Sequence, residues 1–365
     1  MNTATIKFNS FESLKNEDCQ DKIIKAKKTL GDRIVILGHH YQNETVYRHA
    51  DYSGDSLKLA QYVQNLDAKY IVFLGVHFMA EVSNILSRSD QITVLPDLSA
   101  GCSMADMANL AKVERTYREL SKVLDFDKTI TPITYINSAA DLKAFCGEHN
   151  GIVCTSTNAP SVLDWAFKKR EKVLFFPDQN LGRWTGHKMG IAIEDMPVWD
   201  PDLPLGGLTE KQILESKVLL WKGHCAVHQM FRLQHIEKFR EIHPEGFVIS
   251  HPESPFEVCQ NSDYVGSTEF ILNTITKAKP NTKWLVGTEL NLVNRLANEM
   301  KPEGKLVQFM SHVVCECSTM ARIDPQHLSW TLENIIKDNP VNIISVPKKE
   351  AKLAKLALDR MLEIS

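Results

Sequence analysis

The stretch Arg33-Ile34-Val35-Ile36-Leu37-Gly38-His39-His40-Tyr41-Gln42 joins a short apolar run to a short polar one. A brief run of branched apolar residues is typical of a strand that is buried on both faces of a parallel sheet. The polar residues after Gly38 end that strand, and a helical pattern of apolar residues resumes after Asp55 and Ser56. The stretch therefore predicts a strand, a polar turn and a helix, in that order.

The same plan occurs three times along the chain, and each time a cysteine follows it. The three passes start at His39, Tyr135 and His251, and their cysteines are Cys102, Cys225 and Cys317. Repeats of this size predict the α/β class, with three similar three-layer αβα domains whose short parallel sheets surround a pseudo-threefold axis. Because ligands collect at the carboxyl ends of parallel strands, the polar strand ends predict one central active-site cavity.

The repeats also predict the domain boundaries. The first repeat, with a polar lead-in, covers residues 1–125, the second covers 126–240 and the third covers 241–325. Residues 326–365 are interpreted as a helical closing segment. Residues 182–208 are rich in Gly and Pro, so we interpret them as a long loop.

Composition and charge exclude several classes of partner. The 365 residues are 43% hydrophobic and 24% charged, and 42 Lys and Arg against 45 Asp and Glu give a net charge of −3. Without a long basic run, a nucleic-acid partner is not expected. No apolar run is long enough to span a bilayer, and residues 1–20 lack the apolar core of a signal peptide. We therefore predict a cytoplasmic protein with no membrane partner.

Eight cysteines in a reducing compartment indicate metal binding or catalysis rather than disulfides. The paired Cys-x-x-Cys spacing of structural zinc sites is missing from the sequence, which has only Cys315-x-Cys317. Four cysteines are interpreted as small buried side chains: Cys19, Cys146, Cys154 and Cys259. For the cysteines that end the three repeats, the pattern alone leaves both interpretations open, metal ligand and buried side chain.

Histidines cluster at the predicted strand ends. They are His39, His77, His224, His228 and His251. Such a set suits proton transfer or metal binding, although a single histidine is more often structural. Glu253 lies two residues after His251, and in extended chain the two side chains face the same side. The strand ends therefore predict a functional site for proton transfer or metal binding, to which Glu253 adds a carboxylate.

Hydroxyl and amide side chains come just before several predicted helices. They include Ser56, Tyr135, Asn137, Ser156, Ser267 and Thr268. Such residues either cap the helix or belong to an anion site that binds phosphate or carboxylate, and both can hold at once. The chain contains neither GxGxxG nor GxxxxGK[ST], so a nucleotide ligand is not indicated.

With these motifs in order, the chain resembles the quinolinate synthase family, iron–sulfur transferases of de novo NAD biosynthesis. The matching motifs extend from about residue 34 to 325. They include Gly38-His39-His40-Tyr41-Gln42, Thr134-Tyr135-Ile136-Asn137-Ser138, Pro177-Asp178-Gln179-Asn180-Leu181-Gly182, Gly223-His224-Cys225-Ala226-Val227-His228, His251-Pro252-Glu253, Gly266-Ser267-Thr268 and Cys317-Ser318-Thr319-Met320.

The resemblance implies a [4Fe–4S] cluster held by Cys102, Cys225 and Cys317, with the fourth iron open to substrate. Thiolate ligation is what such clusters require. Members of the family condense iminoaspartate with dihydroxyacetone phosphate to quinolinate and release phosphate and two waters. The resemblance also implies an enzyme partner that produces iminoaspartate, and a homodimer.

Residue roles follow from the same resemblance. It implies that His39, Tyr41, His251 and Glu253 are catalytic. The implied substrate-binding residues are His39, Ser56, Tyr135, Asn137, Ser156, His228, His251, Glu253, Ser267, Thr268 and Met320. Of these, His228 and Met320 come shortly after the cluster ligands Cys225 and Cys317.

The chain also departs from the family pattern. Many relatives have a cysteine after His-Pro-Glu where this chain has Ser254, and some have a Cys-x-x-Cys-x-x-Cys run that is here only Cys315-x-Cys317. A disulfide switch of that longer kind is therefore not expected. Cys315 is an alternative to Cys317 as ligand, and the Cys-x-x-Met pattern favours Cys317. Two alternatives remain at this point: another metal-dependent hydro-lyase or aldolase, and a cluster carrier without catalysis.

Overall fold

The structure, a computed structural model, describes residues 5–311, 313 and 316–364. Strands alternate with helices along most of the chain. The first stretch contains α1 Asn16–Leu30, β1 Ile34–His39, α2 Glu44–Tyr47, β2 Tyr52–Gly54, α3 Ser56–Val63, β3 Tyr70–Leu74, α4 His77–Leu86 and β4 Ile92–Val94. The second contains α5 Ser103–Asp106, α6 Leu110–Leu120, α7 Phe126–Thr129, β5 Ile130–Tyr135, α8 Ala140–Glu148, β6 Ile152–Cys154, α9 Ala159–Lys169, β7 Lys172–Phe176, α10 Gln179–Lys188, β8 Val198–Trp199, α11 Glu210–Glu215 and β9 Val218–Trp221.

The third stretch has the same alternation. It contains α12 Leu233–Ile242, β10 Phe247–Ser250, α13 Phe256–Gln260, β11 Tyr264–Val265, α14 Thr268–Lys277, β12 Lys283–Gly287, α15 Leu290–Met300 and β13 Leu306–Phe309. Two helices follow it, α16 Pro325–Ile336 and α17 Lys348–Glu363.

The described residues form three parallel sheets that share one strand order. The first is β2-β1-β3-β4, the second β6-β5-β7-β9-β8 and the third β11-β10-β12-β13. In each sheet the strand that comes first in the sequence lies between the other two strands of its repeat: the second strand pairs with one side of it and forms the sheet edge, and the third strand pairs with its other side. Sheet two adds β8 as an extra edge strand beside β9. The predicted α/β class with three sheet-centred repeats is confirmed, whereas the pseudo-threefold axis and the central cavity stay predictions.

The first strands of the repeats are buried on both faces, as their apolar sequences predict. Every residue of β1 and of β5 is buried, and β3 is buried throughout as well. Helices cover these sheets through apolar stripes, and in α15 the stripe is Leu292, Val293, Leu296 and Met300. This arrangement leaves the strand ends as the places where polar side chains can gather.

The described residues group into two compact units, Met1–Cys102 with Glu316–Val346, and Ser103–Cys315 with Pro347–Ser365. The first unit contains the first sheet, and in it α1 packs on α16. The second unit contains the other two sheets, and in it α17 packs on α8. The domain boundaries predicted at residues 125, 240 and 325 stay predictions.

The loop predicted over residues 182–208 is partly wrong, because α10 covers its beginning and β8 lies inside it. The Asp178 carboxylate starts α10 by accepting the N–H of Leu181 at 2.7 Å. Close packing explains the glycines that indicated a loop. A Cβ on Gly182 would lie 2.6 Å from Leu220, and one on Gly186 would meet a methionine sulfur.

Among the residues that the structure describes, no helix has both the length and the apolar composition needed to cross a membrane. The cysteine run of the sequence is described only in part, and Cys315 lies outside the described residues.

Candidate active site

Three strand ends of the second unit bring predicted site residues together. Strand β5 ends at Tyr135, and β10 leads directly into His251 and Glu253. Strand β9 leads into the turn that carries Cys225 and His228. Because the strands within each sheet are parallel, their carboxyl ends lie at one edge of that sheet, where ligand sites form.

Glu253 is the centre of this group. Its Oε1 accepts a hydrogen bond from the Tyr135 hydroxyl at 2.6 Å, and its Oε2 lies 2.9 Å from Nδ1 of His228. The rings of His228 and His251 lie 4.8 Å apart. Tyr135, His228, His251 and Glu253 are each no more than 4% exposed. The sequence predicted these four residues as site residues, and the structure places them in contact.

The charges of this buried group follow from its contacts. Burial raises the pKa of the Glu253 carboxyl, but the charges of His251 and His228 and the hydrogen bonds from His228 and Tyr135 outweigh burial, so that its pKa is lowered to about 2. Burial lowers the pKa of His251 to about 3, against the opposing charge of Glu253. At neutral pH the group therefore contains a carboxylate beside a neutral imidazole.

His251 is also fixed in one tautomer. Its Nδ1 accepts the backbone N–H of Glu253 at 3.3 Å, so in the neutral ring the proton is on Nε2. His39 has the same arrangement in the first unit, where its Nδ1 accepts the N–H of Tyr41 at 3.2 Å. In both repeats the histidine thus orients the residue two positions later, and that residue is a predicted proton carrier.

Asn180, at the start of α10, fixes the backbone of Glu253. Its amide nitrogen donates to the Glu253 carbonyl at 3.1 Å and to the side chain of Gln229 at 3.3 Å. Gln229 follows His228 directly, so one amide connects the two chain segments that carry the acid–base pair. The N–H of Gln179 binds the carbonyl of Gly223 at 3.0 Å, which ties α10 to the Cys225 turn as well.

Cys225, His228 and Glu253 form a group of possible metal ligands. Their ligand atoms all lie within 4.8 Å of one another. Thiolate, imidazole and carboxylate are the three ligand types that zinc and related metals take from proteins. The structure therefore supports a metal-binding function at this strand edge.

In the first unit, the residues after β1 contact the segment after Cys317. The ring of His39 lies 4.7 Å from that of Tyr41, edge to face. Gln42 is fully buried, and its Nε2 lies 3.4 Å from the sulfur of Met320. Ser56 is the first residue of α3, and Asp55 caps that helix by accepting the N–H of Lys58 at 3.0 Å.

The hydroxyl residues of the second unit lie on a cavity. Ser156 and Ser267 line a cavity of about 710 Å³, together with Pro252 of the His-Pro-Glu motif. Ser267 also caps α14 by accepting the N–H of Phe270 at 3.4 Å, which confirms the capping interpretation for this residue, whereas the anion site stays a prediction. Thr268 is buried behind it, and Asn137, just after β5, is half-buried.

The cysteines divide by exposure. Among those described, Cys102, Cys225 and Cys317 are partly exposed, and Cys317 Sγ lies 3.4 Å from the Thr319 hydroxyl. The remaining four, Cys19, Cys146, Cys154 and Cys259, are buried, as predicted. Burial raises the pKa of each of these four thiols, to about 12 for Cys259. The division matches the predicted one between candidate ligands and buried side chains.

Sequence reasoning missed the roles of Asp178, Asn180 and Thr288. Asp178 is fully buried, and both burial and the charge of Glu253 raise the pKa of its carboxyl. Thr288 places its hydroxyl 3.5 Å from Nε2 of His228. The motif Pro177–Gly182 was the available signal, but its function could not be seen while the residues after it were interpreted as loop.

Of the five histidines at strand ends, only His228 and His251 belong to the Glu253 group, and the contacts given above for His39 lie in the first unit. The remaining two, His77 and His224, have other contacts. His77 begins α4, and its Nδ1 lies 3.6 Å from a Glu81 oxygen one helical turn away. The backbone N–H of His224 lies 3.3 Å from the Met107 sulfur. For these two, the structural interpretation of a single histidine is the better one.

Fold and site together describe an α/β protein with a buried carboxylate–imidazole cluster, and with groups that could hold a metal ion, at the ends of parallel strands. Comparison with known proteins gives the family. The family model described as quinolinate synthetase A protein matches residues 21–363. The chain therefore belongs to the quinolinate synthetase A family.

Curated relatives support this membership along nearly the whole chain. The quinolinate synthase of Rhodopirellula baltica is 51% identical over 97% of this chain and 93% of its own length. The quinolinate synthase of Herpetosiphon aurantiacus is 50% identical over 97% of this chain and 95% of its own length. The quinolinate synthase of Corynebacterium glutamicum is 48% identical over 97% of this chain and 89% of its own length. The resemblance seen in the motifs is confirmed, as is the prediction of an enzyme of this type.

Proposed function

We propose that the chain condenses iminoaspartate with dihydroxyacetone phosphate to quinolinate, with release of phosphate and two waters. Family membership supports the reaction. The observation that carries the proposal is the buried group of Glu253, Tyr135, His228 and His251. Removing a proton next to a carbonyl and protonating a leaving hydroxyl require a base and an acid in one water-poor site.

In this proposal Glu253 accepts the proton. It is ionised at neutral pH, and the 2.6 Å hydrogen bond from Tyr135 orients its Oε1. His251 is neutral with its proton on Nε2, so it can donate a hydrogen bond to the leaving hydroxyl, and the protonated Glu253 carboxyl can return its proton to that oxygen. Tyr41, oriented through His39, is the corresponding group of the first repeat.

We propose a [4Fe–4S] cluster held by Cys102, Cys225 and Cys317 as the cofactor. The chain fits this group, because these three described cysteines are partly exposed while the other four are buried with raised pKa values. Thiolates are the ligands that such clusters require. When bound, the open iron of the cluster supplies a Lewis acid that binds substrate oxygens and eases loss of hydroxide.

Substrate carboxylates and phosphate are proposed to bind at the hydroxyl and amide groups of the strand ends. The cavity lined by Ser156 and Ser267 lies beside the N-terminal ends of α9 and α14. Helix N-terminal ends carry unpaired N–H groups and favour anions. The further binding residues proposed are His39, Ser56, Tyr135, Asn137, His228, Thr268 and Met320.

Two partners are proposed on the resemblance alone. An enzyme that oxidises aspartate supplies the short-lived iminoaspartate, and a second copy of the chain forms a homodimer.

The Glu253→Gln variant tests the proposed base. We expect it to keep iron and sulfide at the wild-type ratio and to lose quinolinate formation by at least about a hundredfold, since general acid–base groups contribute on that order. Glu257→Gln is the matched control, because Glu257 is exposed on the same segment. An active Glu253→Gln enzyme would remove the proton-transfer role. Full activity of a protein that contains zinc alone, at full occupancy, would overturn the proposed cluster.

A further inference from the structure

The ligand group of Cys225, His228 and Glu253 differs from the proposed cluster set in two of its three members. Its atoms lie within 4.8 Å of one another inside one compact unit. His228 is 1% exposed and Glu253 4% exposed, while Cys225 is partly exposed. The partly exposed thiol leaves a side from which a metal ion can enter. The buried imidazole and carboxylate provide two ligands that are already held in place.

We infer that Cys225, His228 and Glu253 form a site for a single divalent cation of the zinc type when the cluster is not in place. The chain then holds one metal ion through one thiolate, one imidazole and one carboxylate. A water or buffer ligand completes four-coordination.

The distances are close to those that such an ion needs. Zinc bonds of roughly 2.3 Å to sulfur and 2.0–2.2 Å to nitrogen and oxygen place tetrahedral ligand atoms about 3.3–3.6 Å apart. Nδ1 of His228 and Oε2 of Glu253 are 2.9 Å apart and must separate slightly when an ion binds. Any distance between ligand atoms near the upper limit of 4.8 Å must shorten.

The partners around the group favour the same interpretation. Metal ligands in proteins are oriented by hydrogen bonds to their second polar atoms. Here Glu253 Oε1 is held by Tyr135, which leaves Oε2 toward His228. His228 faces Thr288 with Nε2, which leaves Nδ1 toward Glu253. Both buried ligands are thus oriented toward the shared centre.

The inference has a consequence that depends on the proposed function. An ion at this site occupies Cys225, a proposed cluster ligand, and Glu253, the proposed base. Cluster and single ion therefore exclude one another, and zinc inhibits assembly of the active enzyme.

Cobalt is a suitable probe, because Co²⁺ takes zinc sites and its thiolate complexes absorb visible light. Cluster-free full-length protein is titrated with Co²⁺ under anaerobic conditions and then with Zn²⁺. We expect one equivalent of tetrahedral, thiolate-bound Co²⁺, displaced by Zn²⁺. Glu253→Gln and His228→Ala are expected to weaken binding by at least about tenfold each, as loss of metal-site contacts does.

The controls separate this site from the cluster set. Cys102→Ala, Cys317→Ala and His251→Ala are expected to bind Co²⁺ as the wild type does, and circular dichroism checks that each variant is folded. The inference is overturned if Co²⁺ binding is lost in Cys102→Ala or Cys317→Ala, since the cysteines of the cluster set would then hold the ion. Unchanged affinity in both Glu253→Gln and His228→Ala overturns it as well.

A reconstitution experiment tests the single-ion site independently of quinolinate formation. Cluster reconstitution is followed by the brown absorbance of the wild type, with and without prior Zn²⁺. Reconstitution blocked by Zn²⁺ supports the site even in a preparation that makes no quinolinate. Reconstitution at an unchanged rate in Zn²⁺-loaded protein contradicts the exclusion of one metal by the other.

Discussion

At the scale of single residues, the chemistry depends on a carboxylate that stays charged although it is buried. Burial alone would raise the pKa of Glu253, and the charges of His251 and His228, together with the hydrogen bonds from His228 and Tyr135, reverse that effect. Tyr135 supplies the shortest of the hydrogen bonds, from a strand end 118 residues earlier in the chain. The charged state of Glu253 therefore depends on residues of two repeats and not on the His-Pro-Glu motif alone.

Tyr135→Phe tests this dependence. A hydrogen bond to a charged group contributes about 1.5–3 kcal/mol, so we expect kcat to fall about ten- to a hundredfold. Because the lost hydrogen bond lowered the pKa of Glu253, that pKa rises in the variant. The acidic limb of the kcat/KM profile accordingly moves to higher pH.

The exposed Tyr264 supplies the control, and Tyr264→Phe is expected to leave both kcat and the pH profile unchanged. Wild-type kcat in Tyr135→Phe would mean that the hydroxyl has no part in setting the charge of Glu253.

At the scale of single residues, the sequence could nominate candidates but not their contacts. His251 and Glu253 were predicted to face the same side because they lie two positions apart in extended chain, and the family resemblance implied their proton-transfer roles. The contacts of Glu253 with Tyr135 and His228 cross between sheets, so no local pattern encodes them. Asn180 was missed for the same reason, since its amide acts on the backbone of a residue 73 positions away.

At the scale of elements, the turn after β9 depends on a close backbone approach. A Cβ on Gly223 would lie 2.2 Å from the carbonyl oxygen of Pro177, which is backbone and cannot rotate away. Gly223 also accepts the N–H of Gln179. The turn that carries Cys225 is thus fixed against the start of α10.

We expect Gly223→Ala to displace this turn and to lower metal content, measured as iron and sulfide per chain, by half or more. The collision is with backbone, so strain on the order of 1–3 kcal/mol is expected, and the melting temperature of the apoprotein falls with it. Gly101→Ala is the matched control, because Gly101 also precedes a candidate ligand cysteine. A Cβ there would meet nothing within 4 Å. Equal metal content in the two variants would contradict the account of the turn.

The buried apolar strands could be predicted from the sequence, whereas helix α10, which contains two glycines, could not. The runs at β1, β5 and β10 are readable because strands buried on both faces need continuous apolar sequence. Helix α10 has Gly182 and Gly186, which lower helix propensity, yet packing against Leu220 and Met196 requires them. Tertiary contact here overrides the local preference.

At the scale of the whole molecule, each of the three α/β repeats is followed by one partly exposed cysteine, and these are Cys102, Cys225 and Cys317. These cysteines are more than ninety positions apart in sequence, and the other described cysteines are buried. The repeat is visible in the sequence because each pass ends in the same order of residue types. The shared strand order of the three sheets is its structural counterpart.

Thiol labelling tests this division without reference to activity. The thiolate is the reactive form, so buried thiols with raised pKa values react slowly. In native apoprotein carrying Cys315→Ala, we expect iodoacetamide to modify Cys102, Cys225 and Cys317 and to spare the other four, as read by mass spectrometry. Cluster reconstitution should protect the three together. Protection of only one or two of them would contradict the proposed ligand set.

The most direct test of the central claim is anaerobic turnover of dihydroxyacetone phosphate with freshly generated iminoaspartate, assayed for quinolinate. It is measured on the wild type and on Cys102→Ala. We predict quinolinate from the wild type alone, with the brown cluster absorbance lost in the variant. A wild-type protein that carries a full cluster and forms no quinolinate would contradict the proposed reaction.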